Sequence, residues 1–195
     1  RHEDGSLVLT CSREGSLDIY RIPEFGMVPR EWDRERLQGE VRVARDHWTK
    51  LLMLGRLLAL ETDKDAQLEV LRQMTSMHLE LREYASATFY TRQIQRMAGA
   101  QSPVGIWAKA MEELISLRDF EVELSQGMLS ERFMGEVTKR VNRLEKLAAK
   151  TTDENLTALV SVVKAEAYSL IGRKSKSAKL LDGVSVGTLT DPIVI

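Results

Sequence analysis

Three histidines and a single cysteine are the residues of this chain best suited to metal or nucleophilic chemistry. A nucleophilic site sets a thiol or hydroxyl beside a base, and a zinc site spaces His or Cys ligands closely on a helix or turn. His2 stands near the first residue. His47 and His78 fall on different predicted helices, with no His or Cys four residues on. Cys11 lies in a predicted strand without a basic helix terminus beside it, so it reads as a small buried hydrophobe. Gly172-Arg173-Lys174-Ser175 shares its ending with a phosphate loop, but it lacks the first glycine and follows a helix instead of a strand. The pairs Glu112-Glu113 and Glu121/Glu123 have the spacing of solvated helix faces. Asp63, Asp65 and Glu69 lack the central glycine of a calcium loop. These residues lead to an expectation of a non-enzyme with no cofactor and no metal.

Two clusters of cations remain. Arg173, Lys174, Lys176 and Lys179 form a basic turn that includes Ser175 and Ser177. It suits an acidic partner, an RNA contact or control by phosphorylation; a solvated turn between helices is the favoured reading. Lys139, Arg140, Arg143, Lys146 and Lys150 share a predicted helix with the apolar stripe Phe133, Val137, Val141, Leu144 and Ala148. That stripe suits either a helix–helix seam or core packing within the domain, and packing is the commoner use of one this short. No interleaved exposed aromatics mark a nucleic-acid platform.

The whole composition agrees. Lys+Arg is 28 and Asp+Glu 29 over 195 residues, so no global basic field points to nucleic acid. The 43% hydrophobic and 29% charged content is that of a globular chain. Aromatics at 6% against 8 Met favour helices packed by aliphatic side chains. One Cys excludes an intrachain disulfide framework and fits a reducing compartment, so an intracellular place in cytoplasm or nucleus is expected. The run Leu51–Leu60, interrupted by Gly55 and Arg56, is too short to span a bilayer. No signal peptide is visible. The chain runs from Arg1 to an apolar end at Ile195 and reads as a fragment of something larger.

Four segments follow from the periodicity. Residues 1–29 hold two β-prone runs, Leu7–Cys11 and Leu17–Ile22, around Arg13-Glu14-Gly15, and predict a β-hairpin ended by Pro23. Residues 30–63 are leading helices, with apolar spacings of three, four and seven from Trp32 to Leu58 and a division at Gly39. Residues 64–183 are helical hairpins. The predicted helices run over about Lys64–Arg82, Ala85–Met97, Pro103–Leu117, Phe120–Gln126, Glu131–Lys150, Asp153–Ile171 and Ser175–Leu181. Asp63, Ser102 and Ser130 are expected caps, Thr151-x-x-Glu154 a capping box, and Gly183 the C′ residue of the last helix. Residues 184–195 are an extended tail ending in Ile193-Val194-Ile195.

Within the helical segment, Leu71 precedes Tyr84 by the same interval that separates Trp107 from Phe120. Tyr84-x-x-Ala87-x-x-Tyr90 supplies a ring and a small residue for close helix crossing. Ala165, Ala167, Tyr168 and Gly172 repeat that supply, with Ala178 one position late. On these residues, about Ala66 to Gly183 resembles the tetratricopeptide family of helical repeats, although Glu123 and the long Glu131–Lys150 helix break the register. The fold class is therefore mainly α: antiparallel helical hairpins in a TPR-like superhelix (an α-solenoid), preceded by a short β-hairpin. Residues 4–20 weakly resemble the inner strands of one WD-like propeller blade.

The tetratricopeptide resemblance implies a non-catalytic scaffold or adaptor subunit whose inner groove receives a partner. A propeller-like start followed by helical hairpins also resembles the plan of coat, intraflagellar-transport and nuclear-pore scaffolds. The alternatives are an RNA-associated scaffold using basic patches, or a support domain for an enzyme whose active site lies outside this fragment. Other protein subunits or self-association are the expected partners, nucleic acid is less favoured, and no membrane is expected. With Lys64–Arg82 and Pro103–Leu117 as inner helices, Gln67, Arg72, His78, Lys109 and Glu112 are the expected protein-binding residues.

Overall fold

In the computed structural model the described residues are 7–13, 16–22, 28–29, 31–125 and 133–184. The architecture is mainly helical, with eight helices among the described residues. The chain divides into two compact units, Arg1–Glu61 and Thr62–Ile195. The side chains of residues 1–27 lie outside the described residues, so the packing of the expected hairpin and its likeness to a propeller blade are not described.

The first unit contains α1 (Arg34–Val43) packed on α2 (His47–Leu60). The expected division at Gly39 falls elsewhere: Gly39 lies inside α1, and the break comes at 44–46. Asp46 explains the shift, because its side chain accepts from the Thr49 N–H at 2.7 Å and starts a new helix. Asp33 caps α1 in the same way through Arg36 N–H. Leu37 and Val41 on α1, with Leu51, Met53, Leu54 and Leu57 on α2, form the buried apolar side of the pair. Glu61 is buried, and Arg34 meets its carboxylate at 3.2 Å.

The second unit contains α3 (Lys64–Glu80), α4 (Tyr84–Ala98), α5 (Pro103–Ser125), α6 (Phe133–Ala148), α7 (Glu154–Leu170) and α8 (Lys174–Asp182). Each helix packs on the next, and α5 also packs directly on α7. Local chemistry sets the starts. Asp63 accepts from Ala66 N–H, Ser102 Oγ from Gly105 N–H, and Asp153 from Leu156 N–H. Asp153, not Thr151, is therefore the cap of α7; Thr151 Oγ1 instead accepts from Asp153 N–H at 3.1 Å. Ser130 and the expected start of α6 lie outside the described residues, as do residues 185–195 of the tail.

Two hairpins share one turn. Glu83 N–H donates to His78 O and Arg173 N–H to Tyr168 O, each at 2.8 Å, while Arg82 N–H reaches Leu79 O and Gly172 N–H reaches Ser169 O. Both are Schellman motifs. The residue in the left-handed region is Arg82 in the first (φ 59°) and Gly172 in the second (φ 73°). In that register Ala87 corresponds to Ser177, and both are buried. The small residue expected at Ala178 is thus Ser177; Ala178 is exposed. Gly183 does not take the expected left-handed C′ conformation, since its φ is −84° and its N–H bonds to Leu181 O.

The expected break near Arg118 is absent: α5 is continuous to Ser125. No Gly or Pro interrupts 118–125, and the second half of α5 is fastened to α6. Glu113, almost fully buried, accepts from Arg140 at 2.7 Å and Arg143 at 3.3 Å. Arg140 lies over the Phe120 ring at 5.0 Å, and Phe120 meets Phe133 edge-on at 5.8 Å. The α6 stripe (Phe133, Val137, Val141, Leu144 and Leu147) is buried, and α6 packs on α5 and α7. Leu147 takes the place expected for Ala148. The stripe is core packing, and two cations of the predicted basic face, Arg140 and Arg143, are engaged with Glu113.

Candidate interaction groove

Continuity of α5 carries Arg118, Glu121, Val122 and Ser125 past the turn between α3 and α4. There they line a cavity of about 500 Å³ with Leu79, Glu80, Arg82 and Tyr84. A second cavity, about 380 Å³, opens between α5, α7 and α8, where Val162, Glu166, Ser169, Ser177 and Leu181 contribute. Arg118 and Glu121 line both, so the two hollows adjoin along α5. The walls combine apolar ground (Leu79, Val122, Val162, Leu181) with three carboxylates and two guanidinium groups.

Arg118 Nη2 donates to Glu166 Oε2 at 3.2 Å. Burial pushes the Glu166 carboxyl above its ordinary value; Arg118 opposes that rise and the Glu121 charge adds to it. Arg118 thus serves a half-desolvated carboxylate while Glu121 stays exposed. Such a groove can seat a segment that brings apolar side chains and a cation of its own. Among the described residues no group of three or more His, Cys, Asp or Glu could hold a metal ion, and no helix is long and apolar enough to cross a membrane.

The residues singled out in sequence lie elsewhere and engage separate neighbours. Arg72 bonds Glu69 at 3.2 Å and places its guanidinium 4.9 Å over the Trp107 ring, which ties α3 to α5. Lys109 Nζ donates to Ala100 O at 3.0 Å. Glu112 accepts from Gln95 at 2.9 Å and faces Arg92, so it joins α5 to α4. Gln67 is half-buried on α3. His78 is buried, stacked on Tyr90 at 5.3 Å with Nδ1 2.6 Å from Glu83. The turn draws it in, because Glu83 follows the left-handed Arg82 and Tyr90 lies two helical turns into α4.

Arg173, Lys174, Lys176 and Lys179 are all exposed, the first three at the start of α8 and Lys179 in its last turn, with Lys176 Nζ 5.6 Å above the Tyr168 ring. The groove residues Arg118, Glu121, Glu166 and Leu181 were missed in sequence. The signal available was the absence of any helix breaker after Leu117. No family model, curated protein or solved structure matches the chain.

Proposed function

We propose that this chain is a non-catalytic interaction scaffold, a TPR-like subunit of a larger protein assembly, and that the groove along the second half of α5 receives a partner segment. The observation that carries the reading is the pair of adjoining hollows sharing Arg118 and Glu121. The repeated Schellman hairpins and the direct packing of α5 on α7 support a solenoid-like arrangement. The hairpin expected at the start, as part of a propeller blade, belongs to the same proposal and rests on the sequence pattern of residues 4–20. A partner with a basic residue would meet Glu121 at the groove rim.

The test is affinity purification of the full-length native protein with cross-linking and mass spectrometry, beside the variant Glu121→Lys/Leu181→Asp. One recurrent protein, cross-linked near the groove and lost with the variant, is the expected result. An unchanged set of partners overturns the reading.

A second reading, RNA association, has one observation in its favour: the four exposed cations at α8. Two of them occupy the first turn of the helix, where the macrodipole disfavours cations unless an anion is near. It predicts binding that weakens steeply with salt and disappears when Arg173, Lys174, Lys176 and Lys179 are reversed to Glu.

A further inference from the structure

Helix α2 is apolar on two faces. Leu51, Met53, Leu54 and Leu57 are buried, while Trp48 is 45% and Leu52 48% exposed on the opposite side. His47, Thr49, Lys50 and Arg56 make the rest of α2 polar, so Trp48 and Leu52 stand as a second, exposed apolar strip that a covering surface would bury. Trp48, Leu52, Gly55 and Ala59 follow one another at spacings of four, three and four, so they form a single stripe without a charged residue. Ala59 is exposed, and among the described residues a Cβ built on Gly55 would meet nothing within 4 Å, so the stripe has an open notch beside its two large side chains.

We infer that α2 pairs antiparallel with α2 of a second copy of this chain. The stripe complements itself only in that direction. Positions 48 and 59 share their midpoint with 52 and 55, so a two-fold axis there sets Trp48 against the other copy's Ala59 and Leu52 against its Gly55. Every large side chain then fills the space above a small one. A parallel pair would set Trp48 beside Trp48 and leave Gly55 facing Gly55, with gaps where the antiparallel pair has contact. Arg56, next to the stripe, is turned to the Val28 carbonyl at 3.1 Å, which draws its charge off the seam.

Area sets the strength. The 14-residue helix is about 21 Å long. A seam of that length covers on the order of 400 Å² per copy, about half of the ~800 Å² per partner of a standard stable interface. The dimer is therefore weak and concentration-dependent rather than obligate.

Two measurements on the full chain in a Cys11→Ser background test this. Reduced Leu52→Cys and Gly55→Cys proteins are oxidised each alone and as an equimolar mixture. The mixture is expected to give several-fold more disulfide-linked dimer than either alone, because the inferred register brings 52 of one copy against 55 of the other. Sedimentation equilibrium of the otherwise native chain should show a mass rising with concentration, abolished by Leu52→Glu; Leu52 is half-exposed, so that change leaves folding intact. A mixture that links no better than either variant alone, or strongest linking by Leu52→Cys with itself, overturns the antiparallel register. A concentration-independent monomer overturns the pairing altogether.

Discussion

The two Schellman turns form an internal experiment in backbone strain. Gly172 and Arg82 occupy the same left-handed position, but only glycine does so without a Cβ penalty. Placing a side chain there costs the native state about 1–2 kcal/mol. Among the described residues a Cβ on Gly172 would touch nothing within 4 Å, so Gly172→Ala carries that conformational cost and no clash there. The alanine also narrows the unfolded ensemble, which returns about 0.4–1 kcal/mol. The net expectation is a loss of about 1 kcal/mol. Arg82→Gly runs the other way. Its side chain is exposed, so little packing is lost, and relief of the strain exceeds the added unfolded-state entropy by roughly 0.5–1 kcal/mol. The assay is urea unfolding followed by far-UV circular dichroism, with equal slopes and shifted midpoints. Opposite shifts of similar size support the argument. A neutral or stabilising Gly172→Ala, or an Arg82→Gly that destabilises, refutes it.

Three further outcomes follow from the packing. Glu113→Ala should cost about 3 kcal/mol, the lower end for a broken buried pair, because it strands the mostly buried Arg140. Arg143→Ala, whose side chain is 59% exposed, should cost under about 1 kcal/mol; equal losses in thermal or urea unfolding would contradict the assignment. Gly105→Ala should cost about 1–3 kcal/mol, since a Cβ there runs into the Gly99 carbonyl oxygen at the α4–α5 connection; a neutral variant would show that this contact relaxes freely. Glu166 holds its proton in the native state at pH values where the unfolded chain has lost it. Its stabilising contribution is therefore present below the ordinary carboxyl range and is lost as pH rises through the raised value. Glu166→Gln should remove that loss, and a wild-type-minus-variant stability difference that stays constant from acid to neutral pH would disprove it.

Much of the helical plan was legible because caps and breakers are local. Asp63, Ser102 and Pro103 announce α3 and α5, and Gly172 announces a turn; each acts within four residues of itself. Where two local signals competed, the reading slipped. Gly39 suggested a break that Asp46 made instead, and the pairing of Ala87 with Ser177 came into view only once the shared turn aligned the hairpins. The groove was illegible for a different reason. Its walls come from α3, α4, α5, α7 and α8, and α5 reaches it because Glu113, Arg140, Phe120 and Phe133 hold it to α6.

His78 shows the same division. Its residue type permitted an open surface position or a buried one, and nothing within a helical turn distinguished them. Tyr90 and Glu83 decided the matter from across the hairpin. The sequence by itself determined that the chain is mainly helical and where most helices begin, because hydrogen-bonding caps and apolar periodicity act over a few residues. Only the tertiary structure decided which side chains face one another, how far α5 runs and where a partner could be received, because burial and ion pairing join residues up to 48 positions apart.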